Sequence, residues 1–131
     1  MRRSHRWLAT LLVTLVVSAC ASSGGSGARV DRNLLTRDQI VETNRQNAYE
    51  VVETLRSNWL RTRGPTSLTS RDAQIQVYID DNRLGGIETL RTINASVVQY
   101  IRWFDGITAT GRWGLDHGAG VIYVSTRALE P

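Results

Sequence analysis

Apolar residues between positions 36 and 61 recur every three or four residues, the spacing of an amphipathic helix that buries one face. The opposite face carries charged and hydroxyl side chains. The apolar face consists of Ala48, Val52, Leu55 and Trp59. This stretch therefore predicts helical structure packed on a core, with Trp59 inside that core.

Two segments of the same region have the composition of helix starts. "TRDQ" at 36–39 places a hydroxyl at the cap and Gln three residues later, which is the capping-box pattern. "NAYE" at 47–50 offers Asn47 as a cap and Glu50 as its reciprocal partner. We predict a short helix from Thr36 to about Thr43 and a second helix from Asn47, with one bent helix as the alternative. Pro65 in "RGP" ends the helical region.

Alternation with a period of two follows, and it predicts strands. Residues 74–80 place Ile and Val on one face and Gln and Tyr on the other, which is typical of a half-buried strand. Residues 98–105 and 120–127 are rich in branched and aromatic side chains and predict two further strands. Asn94 or Ser96 fits the cap of a short helical turn, and residues 107–113 predict another. The segment Asp80–Gly86 has the composition of a turn.

Together these elements predict an α+β (mixed α/β) domain. Two or three short helices pack on a three- or four-stranded sheet. The expected order is helix, helix, strand, short helix, strand, glycine-rich segment, strand.

The N-terminus has the pattern of a bacterial export signal. Three arginines precede an apolar run, Trp7–Val17, that is shorter than the roughly 20 residues needed to span a bilayer. The next residues, "VSAC" at 17–20, resemble the lipobox of bacterial lipoproteins. This resemblance implies cleavage before Cys20, acylation of Cys20, and retention on the outer membrane, because Ala21 and not Asp follows the cysteine.

The predicted domain organisation follows from these segments. Residues 1–19 are the signal peptide, 20–33 the lipidated cysteine and its Gly- and Ser-rich tether, and 34–131 the folded domain. Cys20 is the only cysteine, so the chain forms no internal disulfide.

Charge argues against nucleic acid as a partner. The formal charge of +4 comes from 16 basic and 12 acidic residues, and every basic residue is Arg. Three of the arginines lie in the predicted signal peptide, which leaves 13 basic against 12 acidic residues in the mature chain. A nearly neutral domain lacks the electrostatic footprint of a nucleic-acid-binding protein.

The order of motifs in the second half resembles the plug domain of TonB-dependent outer-membrane receptors. In that family a strand ends in an Asp-Gly turn, and a segment leads to "I-E-x-I-E-V-L-x-G-P". A short helix with Tyr-Gly follows, and then "G-G-V-I-N-I-x-T". The corresponding segments here are "VYIDDNRLGG" with Asp80, "SVVQYIRWFDG", "RWG" and "GAGVIYVST". The resemblance covers most of residues 36–127.

The sequence also departs from that family. Asp81 replaces the glycine of the turn, Ile107 follows Gly106 where the family has Pro, and no energy-coupling box precedes Leu34. The family's plug is followed by a barrel, for which these 131 residues leave no room. We therefore expect a free-standing plug-like module on a lipid tether, and not a transporter.

The segment Gly106–Gly120 contains five glycines, which raises the question of a phosphate loop. The chain has no Lys, and the glycine spacing matches neither the P-loop nor the dinucleotide fingerprint. We expect these glycines to serve the backbone. Gly106 ends a strand, Gly111 and Gly114 flank a tight turn, and the last two let the chain re-enter the sheet.

Catalytic and metal-binding sets are not evident, so we expect no enzyme activity and no cofactor. Asp116 and His117 are adjacent in sequence, which directs their side chains apart, and no Ser or Cys completes a triad. One His with scattered carboxylates does not make a metal site. Asp80, Asp81 and Asp105 suit turns and strand ends better than acid–base chemistry.

The aromatic and Arg side chains point to binding. Tyr78, Tyr100 and Arg102 fall on the sheet face opposite the expected core, where either a second helix covers them or they are exposed. Trp, Tyr and Arg are enriched at binding hot spots. The predicted binding residues are Tyr78, Asp80, Asp81, Arg83, Tyr100, Arg102, Trp113 and His117.

These observations predict a non-catalytic lipoprotein on the periplasmic face of the outer membrane. Its plug-like domain is expected to bind another envelope component, such as an outer-membrane receptor or transport system. The alternative is a periplasmic small-ligand-binding module that uses the Asp80–Gly86 and Gly106–Gly120 loops. An enzyme built around His117 and Asp116 is the second alternative.

Overall fold

The computed structural model describes residues 31–61 and 74–129. The predicted signal peptide, Cys20, most of the tether and the helix stop at Pro65 lie outside these ranges. The described residues form five strands: β1 (Leu34–Thr36), β2 (Gln76–Ile79), β3 (Asn82–Gly85), β4 (Tyr100–Phe104) and β5 (Val121–Ser125). They also form three α-helices: α1 (Arg37–Glu42), α2 (Ala48–Arg56) and α3 (Gly106–Trp113). Short 3₁₀ helices occupy Ser57–Leu60, Ile87–Thr92, Ala95–Val97 and Leu115–His117.

The strands form one mixed sheet in the order β1-β4-β5-β2-β3. Only β2 and β5 run parallel; the other neighbouring pairs are antiparallel. The α+β class is confirmed, and the predicted elements occur in the predicted order, with β1 and β3 in addition. The predicted strand number is wrong, since the sheet has five strands and not three or four.

The two missed strands lie at the edges of the sheet. β1 has three residues and runs directly into α1. Its last residue, Thr36, is also the helix cap, so the segment is too short to show an alternation of its own. β3 reads "NRLG" and has turn-like composition, but it pairs with β2 across a two-residue loop. Asp80 and Asp81 form that loop with φ of 43° and 73°, the left-handed conformation that a tight hairpin requires.

The predicted helix starts are confirmed by their hydrogen bonds. The Asn47 side chain accepts from the Glu50 N–H at 3.0 Å, and the Glu50 carboxylate accepts from the side-chain Nδ2 of Asn47 at 2.9 Å. The Gln39 side chain accepts from the Thr36 N–H at 3.1 Å. Two separate helices form, because the chain breaks at Asn44, whose φ is 51°. Asn94 caps the 3₁₀ turn that follows it.

The main core lies on the sheet face covered by α1 and α2. It includes Trp59, which is 2% exposed and stacks on Trp103 with ring centroids 6.2 Å apart. The other buried members are mostly branched aliphatic side chains from the sheet, α2 and the 3₁₀ helices. The prediction that Trp59 belongs to the core is confirmed.

The second face of the sheet is also covered, in part, by α3. The half-buried pattern predicted for residues 74–80 is therefore wrong: Gln76 and Tyr78 are 6% and 7% exposed. Alternation identified the two faces of β2 correctly, but it could not show that α3 packs on the more polar one. Ala109 of α3 is fully buried against this face.

The glycine-rich segment forms α3 and a returning 3₁₀ turn. Gly111 lies inside α3, so the tight turn predicted between Gly111 and Gly114 is wrong. Gly114 ends the helix with a φ of 103°, and Gly120 has the same φ where the chain re-enters the sheet. Both conformations are strained for residues with a side chain, which confirms a backbone role for these two glycines.

Candidate functional site

The sheet side opposite α1 and α2 carries a cluster of aromatic rings, which we call the aromatic face. Side chains alternate along a strand, so every second residue of β2, β4 and β5 points to this side. Trp113 is added by the last turn of α3. The aromatic face consists of Tyr78, Tyr100, Phe104, Trp113 and Tyr123.

The rings contact one another across three strands and the helix. Trp113 lies 5.1 Å from Tyr78 and 5.1 Å from Phe104 between centroids, the latter edge-on at 81°. Tyr123 lies 6.4 Å from Trp113 and 6.2 Å from Tyr100. These separations fall in the range of favourable aromatic pairs, so the cluster is a small second core with a partly open edge.

Arg112 lies over the open edge of the aromatic face. Its guanidinium carbon is 4.7 Å from the centroid of Trp113, 5.5 Å from Phe104 and 5.7 Å from Tyr123. It also approaches the Asp81 carboxylate at 3.7 Å, and its side chain remains 51% exposed. The cation therefore contacts three rings and still faces solvent.

Tyr123 joins the aromatic face to the hairpin loop. Its hydroxyl donates to Asp81 at 3.2 Å. Burial, followed by the negative charge of Asp81, raises the pKa of the Tyr123 hydroxyl above its usual value. The phenol is therefore a neutral hydrogen-bond donor at physiological pH.

His117 is buried beneath Trp113 at 3% exposure. Its Nδ1 lies 3.2 Å from the Gly114 carbonyl oxygen, which can only accept, and its Nε2 lies 2.8 Å from the Tyr78 hydroxyl. In the neutral ring Nδ1 donates and Nε2 accepts from Tyr78. Both nitrogens have structural partners, and neither bonds to the carboxylate of Asp116.

Asp80 fastens the hairpin turn to the end of β5. Its carboxylate accepts from the Thr126 N–H at 3.0 Å, from the Ser125 hydroxyl at 3.2 Å and from the Thr126 hydroxyl. Burial raises the pKa of the Asp80 carboxyl, but the hydrogen bonds from Thr126 and Ser125 outweigh it and bring the pKa below its ordinary value. The ionised carboxylate is thus a component of the fold.

This arrangement predicts an acid-sensitive contribution to stability. Asp80→Asn should lower the free energy of unfolding at pH 7 by about 1–2 kcal/mol, because hydrogen bonds to a charged group are lost while Asn still tolerates the left-handed turn. Because the pKa of Asp80 is lower in the folded chain, its carboxylate stabilises the fold at pH values above the unfolded-state pKa of about 3.9. This contribution is lost as the pH falls through the folded-state pKa. Urea unfolding at pH 7, 5 and 3 should therefore show the two proteins converging in acid.

Asp116→Asn is the matched control, since Asp116 is exposed and forms no hydrogen bond or ion pair with a described residue. It should match the parent at every pH. A stability difference for Asp80→Asn that stayed constant from pH 7 to pH 3 would contradict the assignment.

The two predicted arginines lie on either side of the aromatic face. Arg102 is opposite Tyr123 in the register of β4 and β5, is 40% exposed in its side chain, and lies 3.6 Å from Asp31. Arg83 is exposed beside Tyr78 in the neighbouring strand and donates to the Gln76 side chain at 3.2 Å. Both charges are accessible at the margin of the ring cluster.

Most of the predicted binding residues thus meet on one side of the sheet. Asp80 is the exception, since its carboxylate is engaged by Ser125 and Thr126. Sequence reasoning missed Phe104, Arg112 and Tyr123 as site residues. The sequence could have identified two of them. Phe104 lies two residues after Arg102 and therefore on the same strand face, and Tyr123 lies in the middle of the last predicted strand.

A separate groove of about 220 Å³ lies between α1 and the 3₁₀ turn at Ala95–Val97. Arg37 and Arg45 line it, and Arg37 donates to the carbonyl oxygens of Ala95 and Val98 at 3.0 and 2.6 Å. Residues 31–61 and 74–129 contain no group of three His, Cys, Asp or Glu side chains that could hold a metal ion. Within the same ranges, no helix has the length and hydropathy needed to cross a membrane.

Comparisons of the chain with protein-family models, with curated proteins and with solved structures found no match.

Proposed function

We propose that this protein is a non-catalytic outer-membrane lipoprotein whose plug-like domain binds another cell-envelope protein through the aromatic face. In this proposal residues 1–19 direct export, acylated Cys20 anchors the chain, and the domain stands on the periplasmic side. The lipobox-like "VSAC" and the Gly- and Ser-rich segment after it support the anchoring.

The positions of the plug-like motifs support the same proposal. Asp80 occupies the turn after β2, Trp113-Gly114 ends the short helix α3, and "GVIYVS" enters the sheet as β5. Strand, turn, strand, short helix and strand occur in the order in which the receptor family arranges these motifs.

The single observation that carries the binding proposal is the placement of Arg112. A half-exposed guanidinium rests on three aromatic rings, and among residues 31–61 and 74–129 its one carboxylate partner is Asp81, at 3.7 Å. An exposed pair of this kind stabilises a fold by about 1 kcal/mol at most. A partner that excludes water would strengthen both the cation–π contacts and any bidentate bond to Arg112.

The composition around Arg112 fits a protein interface. Tyr100 and Arg102 lie half-buried on the same side, and the rings of Trp113 and Tyr123 lie beneath the guanidinium of Arg112. Trp, Tyr and Arg dominate interface hot spots because they combine large apolar area with hydrogen-bonding tips. His117 has both nitrogens engaged within the fold, which supports a binding role over a catalytic one.

Capture from cross-linked envelopes tests this proposal. Arg112→Ala should reduce the recovery of the cross-linked partner at least tenfold, since hot-spot truncation costs about 2 kcal/mol or more. Arg91→Ala is the matched control. Arg91 also lies over a ring, Tyr49 at 3.6 Å, has a carboxylate partner in Glu88 and is 52% exposed, but it sits beside α2 on the other side of the sheet.

The parent and the Arg91→Ala variant should recover the same partner in equal amounts. The Cys20→Ala variant should not recover it, because that chain is not acylated and is no longer held at the membrane. Equal losses in the Arg112→Ala and Arg91→Ala variants would argue against the aromatic face. If the acylated parent captured no specific partner, the proposal itself would be contradicted.

A small-ligand-binding module is the second candidate. One contact favours it: Arg112 and Asp81 approach within 3.7 Å and thereby join the Gly106–Gly120 and Asp80–Gly86 segments. A ligand specific for the folded chain would raise its melting temperature in a thermal-shift screen. Such a shift in the parent that is lost in the Arg112→Ala variant would favour this candidate.

A further inference from the structure

We infer that the domain docks on the phospholipid surface through the end at which the tether enters, with Ile107 inserted and three arginines against the headgroups. This inference rests on the lipid anchoring proposed above. We call this part of the molecule the tether end. It consists of Asp31–Asn33, Arg56, Arg61 and Asp105–Ile107.

One hydrogen bond and one ion pair place the entering chain beside the end of β4, two residues before α3 begins. The Asn33 carbonyl accepts from the Trp103 N–H at 2.8 Å, and Asp31 approaches Arg102 at 3.6 Å. Ile107 follows Trp103 by only four residues, in the first turn of α3. The point where the chain leaves for Cys20 and the first turn of α3 therefore share one end of the sheet.

The length of the connection keeps this end close to the anchor. Ten residues separate Cys20 from Asp31, so even a fully extended connection spans at most about 40 Å. The tether end therefore stays within reach of the bilayer for as long as the acyl chains remain inserted. A weak surface contact becomes populated under this restriction, since tethering raises the effective concentration to about the millimolar range.

Ile107 is the most exposed large apolar side chain of the described residues, at 90%. A lone exposed isoleucine is common on protein surfaces and proves nothing by itself. Here it projects at the end that the anchor holds near lipid, and an apolar side chain in that position can insert into the acyl boundary.

Charge at the tether end complements an anionic surface. Arg56 donates to the Arg32 carbonyl at 3.2 Å, which brings the end of α2 to the entering chain. Arg61 is exposed just after the 3₁₀ turn whose Trp59 stacks on Trp103. Arg32, Arg56 and Arg61 form no ion pair with a described residue, whereas Asp31 is offset by Arg102.

The remaining carboxylate of this end belongs to the helix cap. Asp105 accepts from the Thr108 N–H at 2.9 Å and from its hydroxyl at 3.1 Å. Arg32, Arg56 and Arg61, which form no ion pair within the described part of the chain, therefore outnumber this one carboxylate. Basic side chains near an anionic leaflet each strengthen attachment about fivefold.

This orientation turns the opposite end of the sheet toward the periplasm. Thr36, Tyr100 and Ser125 are paired there, and the hairpin loop Asp80–Asp81 projects from the same end. Tyr100 of the aromatic face is then presented away from the membrane, where another envelope protein can reach it.

Site-directed spin labelling of the acylated full chain tests the inference. Cys20 is the only cysteine and its sulfur carries the lipid in this proposal, so Ile107→Cys supplies a single free thiol. The labelled protein is reconstituted in vesicles of phosphatidylethanolamine and phosphatidylglycerol at 3:1. Accessibility to oxygen and to a water-soluble nickel chelate is then measured. Val41→Cys is the control, since Val41 is 57% exposed on α1, which starts at the opposite end of the sheet.

We expect the label at position 107 to be at least fivefold less accessible to the nickel chelate than the label at position 41, with the reverse order for oxygen. Arg32→Glu with Arg61→Glu should bring the two labels to the same accessibility. The docking would be overturned if the labels at positions 107 and 41 were equally accessible to the nickel chelate without the Arg→Glu substitutions, while the protein still floated with the vesicles. That result would leave the anchor intact. Failure to float would overturn the anchoring itself, and the docking with it.

Discussion

Replacing Gly120 with Ala is expected to lower the free energy of unfolding by about 4 kcal/mol or more, a large part of the stability of a small domain. A Cβ at this position would lie 2.5 Å from Cη2 and 2.7 Å from Cζ2 of Trp103, and 2.9 Å from the Phe104 carbonyl oxygen. The φ of 103° adds strain for any residue with a side chain. Neither the packed indole nor the strand carbonyl can move without disturbing the core.

Gly106→Ala should be similarly damaging for a different reason. Its Cβ would overlap the Gly118 carbonyl, where the returning chain passes the first turn of α3. The oxygen and the carbon of that carbonyl group are both backbone atoms, so neither can move aside as a side chain could. Gly106, the first residue of α3, permits this close approach because it has no Cβ.

Gly111→Ala is the matched control in the same segment. A Cβ there meets nothing within 4 Å, and the residue lies inside α3. Ala should therefore stabilise the protein by about 0.5–1 kcal/mol through helix propensity. Urea unfolding of the three variants measures the contrast. Equal effects at all three positions would show that the segment is not held in this conformation.

Trp59→Ala is expected to destabilise the protein by about 3–5 kcal/mol, the range for deleting a large buried aromatic side chain. Trp59 is 2% exposed and stacks on Trp103, so its removal leaves a cavity and an unsupported indole. The free energy of unfolding from urea titration is the measurement. Circular dichroism at 20 °C would show whether the variant still folds.

Leu115→Ala is the control for Trp59→Ala, because Leu115 is 89% exposed. Its stability should stay within about 0.5 kcal/mol of the parent. A Trp59→Ala effect as small as that of Leu115→Ala would contradict the packing of the 3₁₀ turn on the sheet.

The two sets of variants meet at Trp103. Its ring stacks on Trp59 on the core side, and its edge limits the space at Gly120. The glycine-rich return to β5 and the helix-covered core are therefore coupled through one indole. Damage at Gly120 should extend to the core and not remain local to the loop.

Local patterns predicted the elements well where the cause of the structure is local. Asn47 and Thr36 start helices because side chains within three residues satisfy their free N–H groups. The alternating residues of β2 and the branched residues of β4 and β5 predicted those strands within two residues. Asp80 was expected in a turn, and it adopts a left-handed conformation there.

The candidate site was predicted only in part. The aromatic and Arg residues of β2 and β4 were selected for their type and their shared face, which period-two alternation supplies. Arg112 was missed because its contacts with Phe104 and Tyr123 depend on where α3 lies over the sheet. The burial of His117 depends on the same helix, because Trp113 at the end of α3 lies over it.

The sequence by itself determined the α+β class, the helix starts, three strands and a turn at Asp80, since each depends on neighbours within a few residues. The tertiary structure alone decided the sheet order, the pairing of the short edge strands β1 and β3, and the burial of both faces of β2. Those outcomes depend on contacts between distant segments. A polar and aromatic strand face reads the same whether water or a helix covers it, so only the packing of α3 distinguishes the two.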